Sequence, residues 1–291
     1  MNVKVIKEPY LDRFTNCFLV EEGKTALLAD TGLYQSLPLI EKVIEQPTAI
    51  LCTHGHWDHI GAHHTFQKKG VKLYGHPGDE NMTEDLQFQW NALYEQFSGE
   101  FEITNARRET FFQECGQPVQ LDVSVQDGDI LDFGNIRVEV LETPGHSSGS
   151  ICYYIPEEGV LLTGDTVSGA GFFNGLPQVN DMKKYRASLE RLQKIRVEKV
   201  CSCHSEDILD EKQYQRALRE GLDCLDRLEM LTRAYLEKNE ERIQIGALAD
   251  ELCKQEGKGG GSGAMITAVA CLKLFTEEFD TANVCCQKYI L

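Results

Sequence analysis

The 291-residue sequence has few of the features that mark exported, membrane-embedded or nucleic-acid-binding proteins. No apolar run is long enough for a signal peptide near the start or for a transmembrane helix elsewhere. Basic residues are scarce, since 29 Lys and Arg stand against 46 Asp and Glu, and the formal net charge is -17. Such a surface repels polyanions and anionic membranes. We therefore expect a cytoplasmic protein with no nucleic-acid or membrane partner.

A disulfide framework is also missing. The eleven cysteines are odd in number and scattered along the chain, which favours free thiols in a reducing compartment. Most of them are interpreted as small buried hydrophobic residues. Cys201 and Cys203 precede His204 in a C-x-C spacing that leaves two interpretations open. They are either thiolate ligands of a metal or residues that alternate along a strand.

Strand-like and helix-like patterns alternate through most of residues 1–205. Short apolar runs at 25–29, 49–53 and 160–162 have the length and composition of strands. Helical patterns at 37–45 and 60–69 lie between such runs. This alternation predicts a layered α/β catalytic domain over residues 1–205.

Two segments depart from the alternation. Residues 78–117 predict a helical insertion rich in aromatic side chains, namely Phe88, Trp90, Tyr94, Phe97, Phe101, Phe111 and Phe112. Together with Phe172 and Phe173 they would form a wall over a ligand site. The alternative is an internal core or a homodimer interface. Residues 206–291 predict a helical C-terminal extension, whose glycine-rich stretch 257–263 is interpreted as a flexible connector rather than a phosphate cradle.

The chain contains eight histidines, and three of them occur in one run of six residues that also contains an aspartate, His54-Gly55-His56-Trp57-Asp58-His59. Three other segments also place polar residues where predicted strands end: Thr143-Pro144-Gly145-His146, Thr163-Gly164-Asp165-Thr166 and Cys203-His204. Strand ends are the usual place for a site in an α/β protein. Imidazole and carboxylate groups are ligand types that suit zinc, iron and manganese.

In kind, order and separation these motifs resemble those of the metallo-β-lactamase superfamily, and the resemblance covers residues from about 1 to 205. It implies an αββα sandwich with a metal centre at one edge. It also implies a two-metal site with these ligands: His54, His56 and His146 for the first metal, Asp58, His59 and His204 for the second, and Asp165 between both.

The ligands imply the chemistry. Two divalent cations, zinc before iron or manganese, would share a water and lower its pKa from about 15.7 towards neutrality, which gives hydroxide at pH 7. Asp58 would orient this nucleophile and carry a proton to the leaving group. Asp30 resembles an early strand-end aspartate that would support a ligand histidine, with a plain turn cap as the alternative. His63, His64 and His76 are interpreted as surface or supporting residues.

Within the superfamily the sequence is similar to the glyoxalase II and lactonase branch. True β-lactamases lack the aspartate of Gly164-Asp165-Thr166, whereas Ser202-Cys203-His204-Ser205 departs from the usual Pro-Gly-His-Gly of glyoxalase II. The prediction is therefore a hydrolase acting on an ester-like bond, thioester or lactone, of a small molecule. Two alternatives stay open: a persulfide dioxygenase-type oxidoreductase with one iron on His54, His146 and Asp165, and a non-catalytic metal-binding sensor of the same fold.

Overall fold

The computed structural model describes residues 1–10, 13–100, 102–167, 176–239 and 243–275. Three aromatic residues of the predicted wall, Phe101, Phe172 and Phe173, lie outside the described residues. The same holds for the last part of the predicted C-terminal extension, residues 276–291.

Two β-sheets form the centre of the fold. The first has six strands in chain order: β1 (Asn2–Tyr10), β2 (Arg13–Glu22), β3 (Thr25–Ala29), β4 (Ala49–Leu51), β5 (Lys72–Gly75) and β6 (Val123–Ser124). β1 to β3 are antiparallel neighbours, whereas β3 to β6 pair in parallel. Parallel pairing brings the carboxyl ends of β3, β4 and β5 to one edge of the sheet.

The second sheet has five strands, which are β7 (Ile130–Asp132), β8 (Arg137–Glu142), β9 (Ile151–Ile155), β10 (Val160–Gly164) and β11 (Lys199–Ser202). Their spatial order is β11, β10, β9, β8, β7. β7 to β10 are antiparallel neighbours, and β11 joins β10 in parallel. Consequently β8, β10 and β11 run in the same direction, and their carboxyl ends share one edge.

The alternation of side chains along these strands separates two apolar layers. In β3, Leu27 and Ala29 face the second sheet, whereas Leu28 belongs to the apolar cluster on the helix side. The layer between the sheets draws buried side chains from both of them, including Val20, Leu51, Val138, Ile151 and Leu162. The two sheets therefore form a sandwich with one shared core.

Helices cover both outer faces of the sandwich. α1 (Leu37–Glu41) contacts β1, and α3 (His63–Lys68) contacts β5 on the first sheet. α8 (Glu211–Lys238) contacts β11 on the second sheet and packs against α7 (Met182–Leu192). The expected αββα arrangement is confirmed.

The aromatic-rich segment 78–117 folds as three short helices, α4 (Glu80–Glu84), α5 (Leu86–Leu93) and α6 (Asn105–Cys115). The indole of Trp90 stacks on Tyr94 with ring centroids 4.7 Å apart. Phe111 lies 5.3 Å from Trp90 and 5.7 Å from Trp57, which belongs to the histidine run. These aromatic side chains form a local core that docks the insertion onto the histidine run, as the core alternative predicted.

Three helices follow β11, namely α8, α9 (Ile245–Glu256) and α10 (Ser262–Lys273). α8 begins with a capping box, in which Asp210 accepts a hydrogen bond from the Gln213 N–H and the Gln213 side chain accepts one from the Asp210 N–H. α10 is buried at every position from 264 to 272 and contacts α5, α7, α8 and α9. A helix that is apolar on all sides belongs in the interior of the protein. None of the described helices has the length and apolar character needed to cross a bilayer.

The sequence predicts one helix over 60–69, but the chain forms two, α2 (Trp57–Ile60) and α3. The break lies at Gly61, whose N–H donates to the carbonyl oxygen of Gly32 at 2.8 Å. A methyl group on Gly61 would lie 2.2 Å from the backbone nitrogen of Tyr34 and 2.4 Å from the carbonyl carbon of Leu33. This close approach fixes α2, which carries two of the predicted ligands, against the first sheet.

Gly61→Ala is expected to lower the free energy of unfolding by about 1–3 kcal/mol, because the added methyl group must displace backbone atoms. Denaturant-induced unfolding measures this loss. Gly99→Ala is the matched control, since Gly99 is exposed and an added Cβ would meet nothing within 4 Å. The control should change stability by no more than about 0.5 kcal/mol. Equal unfolding midpoints for the two variants would contradict the close approach.

Candidate metal centre

Four strand ends deliver the predicted ligands to one rim of the sandwich. The histidine run follows β4, and single residues follow β8, β10 and β11. All seven are buried, none with more than 8% of its surface exposed: His54, His56, Asp58, His59, His146, Asp165 and His204. The structure brings all seven together.

Three imidazoles form the first group of this centre. The Nε2 of His146 lies 3.2 Å from the Nε2 of His54 and 2.9 Å from the Nδ1 of His56. The Nε2 of His54 lies 3.0 Å from the Nδ1 of His56. The three nitrogen atoms thus form a triangle with sides of 2.9 to 3.2 Å.

The opposite ring nitrogens of two of these histidines are occupied by the protein. The Nδ1–H of His146 donates to the carbonyl oxygen of Gln178 at 2.8 Å. The Nδ1 of His54 lies 3.1 Å from the Oγ1 of Thr53, whose hydroxyl in turn donates to Asp30. Because Nδ1 is the protonated nitrogen in each ring, the Nε2 lone pair of each ring points into the triangle.

The same histidines are neutral at physiological pH. Burial lowers the pKa of His54 well below its usual range and lowers the pKa of His56 to about 3. Burial also lowers the pKa of His146. A divalent cation binds neutral imidazole, so protons do not compete for these lone pairs at pH 7.

Two imidazoles and two carboxylates form the second group. The Nε2 of His59 lies 3.3 Å from Asp165 and 3.9 Å from Asp58. The Nε2 of His204 lies 3.2 Å from Asp165 and 3.6 Å from Asp58. Asp165 also lies 3.5 Å from the Nε2 of His146, which belongs to the first group. Asp165 therefore stands between the two groups.

Two atoms of the second group are buried without a hydrogen-bond partner among the described residues: the Nε2 of His59 and the Oδ1 of Asp165. They lie 3.3 Å apart, yet they are not aligned for a hydrogen bond with each other. Their charge contact does not replace a well-formed hydrogen bond, and burying polar atoms without one costs free energy. A cation held between them would satisfy both, so the residues present fit a metal ion.

The other ring nitrogen of each histidine in this group has a partner in the protein. The Nδ1–H of His59 donates to Asp30 at 2.9 Å, and the Nδ1–H of His204 donates to the carbonyl oxygen of Phe14 at 2.7 Å. Asp30 also accepts a hydrogen bond from the backbone N–H of Thr53 at 2.8 Å. Asp30 thus supports a histidine of the centre, as the resemblance implied, and is more than a turn cap.

Charge within the second group differs from that in the first. Burial opposes a charged His59, but Cys203, Asp165 and Asp30 outweigh burial and raise the pKa of His59 well above its usual range. Burial likewise opposes a charged Asp165, but His204 and His59 hold the pKa of that carboxyl well below its usual range. In the metal-free protein an imidazolium therefore faces a carboxylate here.

The cysteine pair near His204 follows strand alternation. Cys201 and Cys203 both belong to the apolar layer between the sheets, and the Cys203 thiol donates to Asp30 at 3.4 Å. The three remaining histidines lie outside the two groups. His63 is buried with its Nδ1 2.8 Å from the Thr31 hydroxyl, His64 is partly buried on α3, and His76 pairs with Glu142 at 3.1 Å.

Sequence reasoning missed Asp79, which joins two turns of the centre. Its Oδ2 accepts hydrogen bonds from the Gly55 N–H at 2.9 Å and from the Ser147 hydroxyl at 2.6 Å. Its Oδ1 accepts one from the Gly149 N–H at 2.7 Å. Asp79 is 3% exposed and comes shortly after β5. Its position after a strand is the one sequence signal that points to it, but this position alone does not distinguish it from other aspartates.

Asp79→Asn should weaken metal binding at the first group by about 10- to 100-fold, because the amide cannot accept three hydrogen bonds in the same way and the two turns separate. Chelator competition measures the affinity. Asp122→Asn is the control, since Asp122 also accepts a backbone N–H bond, from Leu73 at 2.9 Å, away from the centre. Equal metal affinity in the two variants would show that Asp79 does not position the turns.

The free energy of unfolding of the metal-free protein should fall as the pH drops below about 6.5, the usual histidine pKa. His56 and His63 take up a proton in the unfolded chain there, but in the folded state burial lowers their pKa to about 3 and about 4. Their contribution is present above pH 6.5 and is lost towards these lower values. His59 does not cancel the loss, because its raised pKa makes its contribution complete below pH 6.5.

Urea unfolding between pH 7 and 4.5 with a chelator present tests this expectation. The slope should reach at least about 1.4 kcal/mol per pH unit, which corresponds to one proton. His63→Gln removes one buried titrating group and should lower the slope. Stability that stays constant over this range would contradict the burial of neutral histidines.

The chain is similar in sequence to several known proteins. An uncharacterised protein of Mycobacterium leprae is 36% identical over 160 residues, which covers 52% of this chain and 67% of that protein. The acyl-coenzyme A thioesterase MBLAC2 of Gallus gallus is 28% identical over 221 residues, with 69% and 76% covered. A hydroxyacylglutathione hydrolase of Thermosynechococcus vestitus is 27% identical over 168 residues, with 55% and 53% covered.

The fold also matches solved structures. A metallo-beta-lactamase family protein of Thermus thermophilus superposes with a TM-score of 0.75 at 23% identity, covering 95% of this chain and 93% of that one. The family model described as metallo-beta-lactamase superfamily matches residues 10–204, which include all seven residues of the centre. By its sequence and its sandwich of two sheets, the chain belongs to the metallo-beta-lactamase superfamily.

Proposed function

We propose that the protein is a hydrolase that cleaves a thioester bond of a small molecule with the help of two divalent metal ions. Zinc is the first candidate for these ions, and iron or manganese is the alternative. The observation that carries this proposal is the convergence of seven buried imidazole and carboxylate side chains on one rim. The Nε2 of His59 and the Oδ1 of Asp165, which lie 3.3 Å apart without a hydrogen bond of good geometry, support a cation between them.

Each group of the centre would hold one cation. The three donor nitrogens of the first group lie within 3.2 Å of one another, and Asp165 is within 3.5 Å of both groups. Asp58, His59 and His204 would supply the second set of donors. When bound, such a pair of cations lowers the pKa of a shared water and polarises the substrate carbonyl.

Asp58 is the residue proposed to move the proton. It is 3% exposed and lies at the first turn of α2, with its carboxylate 3.6 Å from His204 and 3.9 Å from His59. In this position it accepts a hydrogen bond from the attacking water and takes its proton. The water oxygen bonds to the carbonyl carbon, the C–S bond breaks, and Asp58 returns the proton to the departing sulfur.

Two observations favour a thioester over other bonds. A thiol with a pKa of about 8.5 leaves as a stable thiolate, so one carboxylic acid is a sufficient proton donor. Two relatives carry names that refer to acyl groups on a thiol, an acyl-coenzyme A thioesterase and a hydroxyacylglutathione hydrolase. A lactone is the next candidate, and the net charge of -17 disfavours a nucleic-acid substrate.

One observation favours a second candidate, a single-iron oxidoreductase of persulfide dioxygenase type. The Nε2 of His146 lies 3.2 Å from His54 and 3.5 Å from Asp165, so the three ligands that such an enzyme needs are also together. That arrangement uses neither His59 nor His204. The hydrolase proposal accounts for both of these residues.

Metal analysis combined with a substrate panel tests the proposal. Protein purified without added metal would be assayed with acyl-coenzyme A, acylglutathione, lactone, phosphodiester and β-lactam substrates, each with zinc, iron and manganese. We expect two metal ions per chain and the fastest turnover with a thioester. One iron per chain with oxygen uptake on a persulfide would favour the oxidoreductase. Failure to bind any of the metals at micromolar concentration would favour a sensor.

Asp58→Ala should lower kcat by about 10²- to 10⁴-fold, because the proton carrier is lost. Circular dichroism should show an intact fold. Asp250→Ala is the control, since Asp250 is exposed on α9, and it should hydrolyse the substrate at the wild-type rate. Wild-type turnover by the Asp58 variant would refute the role.

A further inference from the structure

We propose that Thr267 of α10 is a positioning residue for the first metal: through it the C-terminal helices hold Gln178, and Gln178 holds two histidines of the first group. This inference rests on the proposed metal centre. It gives the C-terminal helices a part in the site, although they supply none of the seven residues themselves.

Gln178 contacts the first group at two points. Its carbonyl oxygen accepts the Nδ1–H of His146 at 2.8 Å. Its side-chain amide nitrogen lies 3.1 Å from the Nε2 of His56. Each contact is made to the ring nitrogen that faces away from the triangle of the first group. One residue thus sets the rotation of two of the three rings.

The contact with His56 also bears on its tautomer. His56 faces the triangle with Nδ1, so it offers a lone pair there only when Nε2 carries the proton. The amide of Gln178 has an oxygen acceptor beside its nitrogen donor, and a half-turn of the amide presents that oxygen to the Nε2–H. Gln178 therefore selects the metal-binding tautomer when its oxygen faces His56.

Thr267 holds the chain on both sides of Gln178. Its hydroxyl oxygen accepts the N–H of Val179 at 3.0 Å. Its O–H has two carbonyl oxygens within reach, that of Pro177 at 2.7 Å and that of Gly263 in its own helix at 3.0 Å, and the shorter contact is the one to Pro177. Thr267 and Val179 are fully buried, so water cannot replace these bonds.

The same segment continues to the turn that carries His146. The backbone N–H of Asn180 donates to the carbonyl oxygen of Gly145 at 2.7 Å, and the Asn180 side chain donates to the carbonyl oxygen of His146. A shift of residues 177–180 would therefore move His146 by its backbone as well as by its ring. The connection runs from α10 through this segment to the first metal group.

Thr267 and Thr232 both place their hydroxyl near the carbonyl oxygen four residues earlier in their own helix, but only Thr267 is also bonded to residues outside its helix. Thr232 of α8 is equally buried, but its hydroxyl donates to the carbonyl oxygen of Leu228 in its own helix at 2.7 Å. That bond stays within one helix and touches no residue of the metal centre. Thr232→Val thus reproduces the chemical change of Thr267→Val in the same set of helices, which makes it the matched control.

Cobalt titration with a competing chelator tests the inference on the full-length chain. Thr267→Val should weaken the first cobalt site by about 10- to 100-fold, the range typical of residues that orient a ligand, and should change the visible absorption of bound cobalt. Thr232→Val should keep wild-type affinity and spectrum. Thr267→Ser restores the hydroxyl and should restore both. Gln178→Ala should weaken the site too, and it provides the test if Thr267→Val does not fold.

The outcomes separate this inference from the proposed function. Wild-type protein that binds no cobalt would overturn both. If wild type binds cobalt, equal affinity in the two valine variants would overturn only the role of Thr267. A Thr267→Ser variant as weak as Thr267→Val would also overturn it, because the hydroxyl would then be irrelevant. Unchanged affinity in Gln178→Ala would show that Gln178 does not position the histidines of the first group, and would overturn the inference as well.

Discussion

A buried histidine offers a lone pair to a metal in a fixed direction only when the protein occupies its other ring nitrogen. This constraint shapes the whole centre. His59 donates to Asp30, His204 to the carbonyl oxygen of Phe14, and His146 to that of Gln178. The partners come from the end of β3, the start of β2 and the segment before α7. Several parts of the chain must therefore be packed in their native positions to orient the imidazoles correctly.

Meeting this constraint requires unfavourable backbone conformations near the centre. Asp30 has φ = 56° and is the only non-glycine residue with positive φ in the described part of the chain. Asp tolerates this left-handed conformation better than most residues, at a cost of order 1 kcal/mol. Gly164 has φ = 50°, and a Cβ there would lie 2.3 Å from the Thr53 hydroxyl that supports His54. The buried layer between the sheets offsets such costs.

The sequence was sufficient to predict those features that depend on local spacing. The centre could be identified from short motifs at the ends of strands, which contain the histidine run, His146, Asp165 and His204. The sandwich followed from alternating strands and helices, with errors where long-range packing decided the outcome, as at Gly61. The end of α1 also differed, because the pattern predicted a helix to residue 45 and α1 ends at Glu41.

The residues that orient the ligands carry no such local signal. Asp79 lies 24 residues from Gly55 and 68 from Ser147, and Thr267 lies 88 residues from Val179. An aspartate after a strand or a threonine in an apolar helix is common, and only the three-dimensional contact distinguishes these two. For the aromatic insertion the sequence left a wall and a core open, because aromatic side chains at helical spacing fit both.

The distribution of supporting residues has a consequence for stability. Asp79 belongs to the insertion and Thr267 to the C-terminal helices, whereas the ligands lie on the sandwich. With Asp79 and Thr267 in their proposed roles, metal binding requires all three parts to be folded and docked. A ligand that binds only the native state stabilises it by RT ln(1 + [L]/Kd). Metal binding therefore stabilises the insertion, the sandwich and the C-terminal helices together. Removing the metal should loosen the docking of the two peripheral parts before it disturbs the core between the sheets, which depends on no ligand.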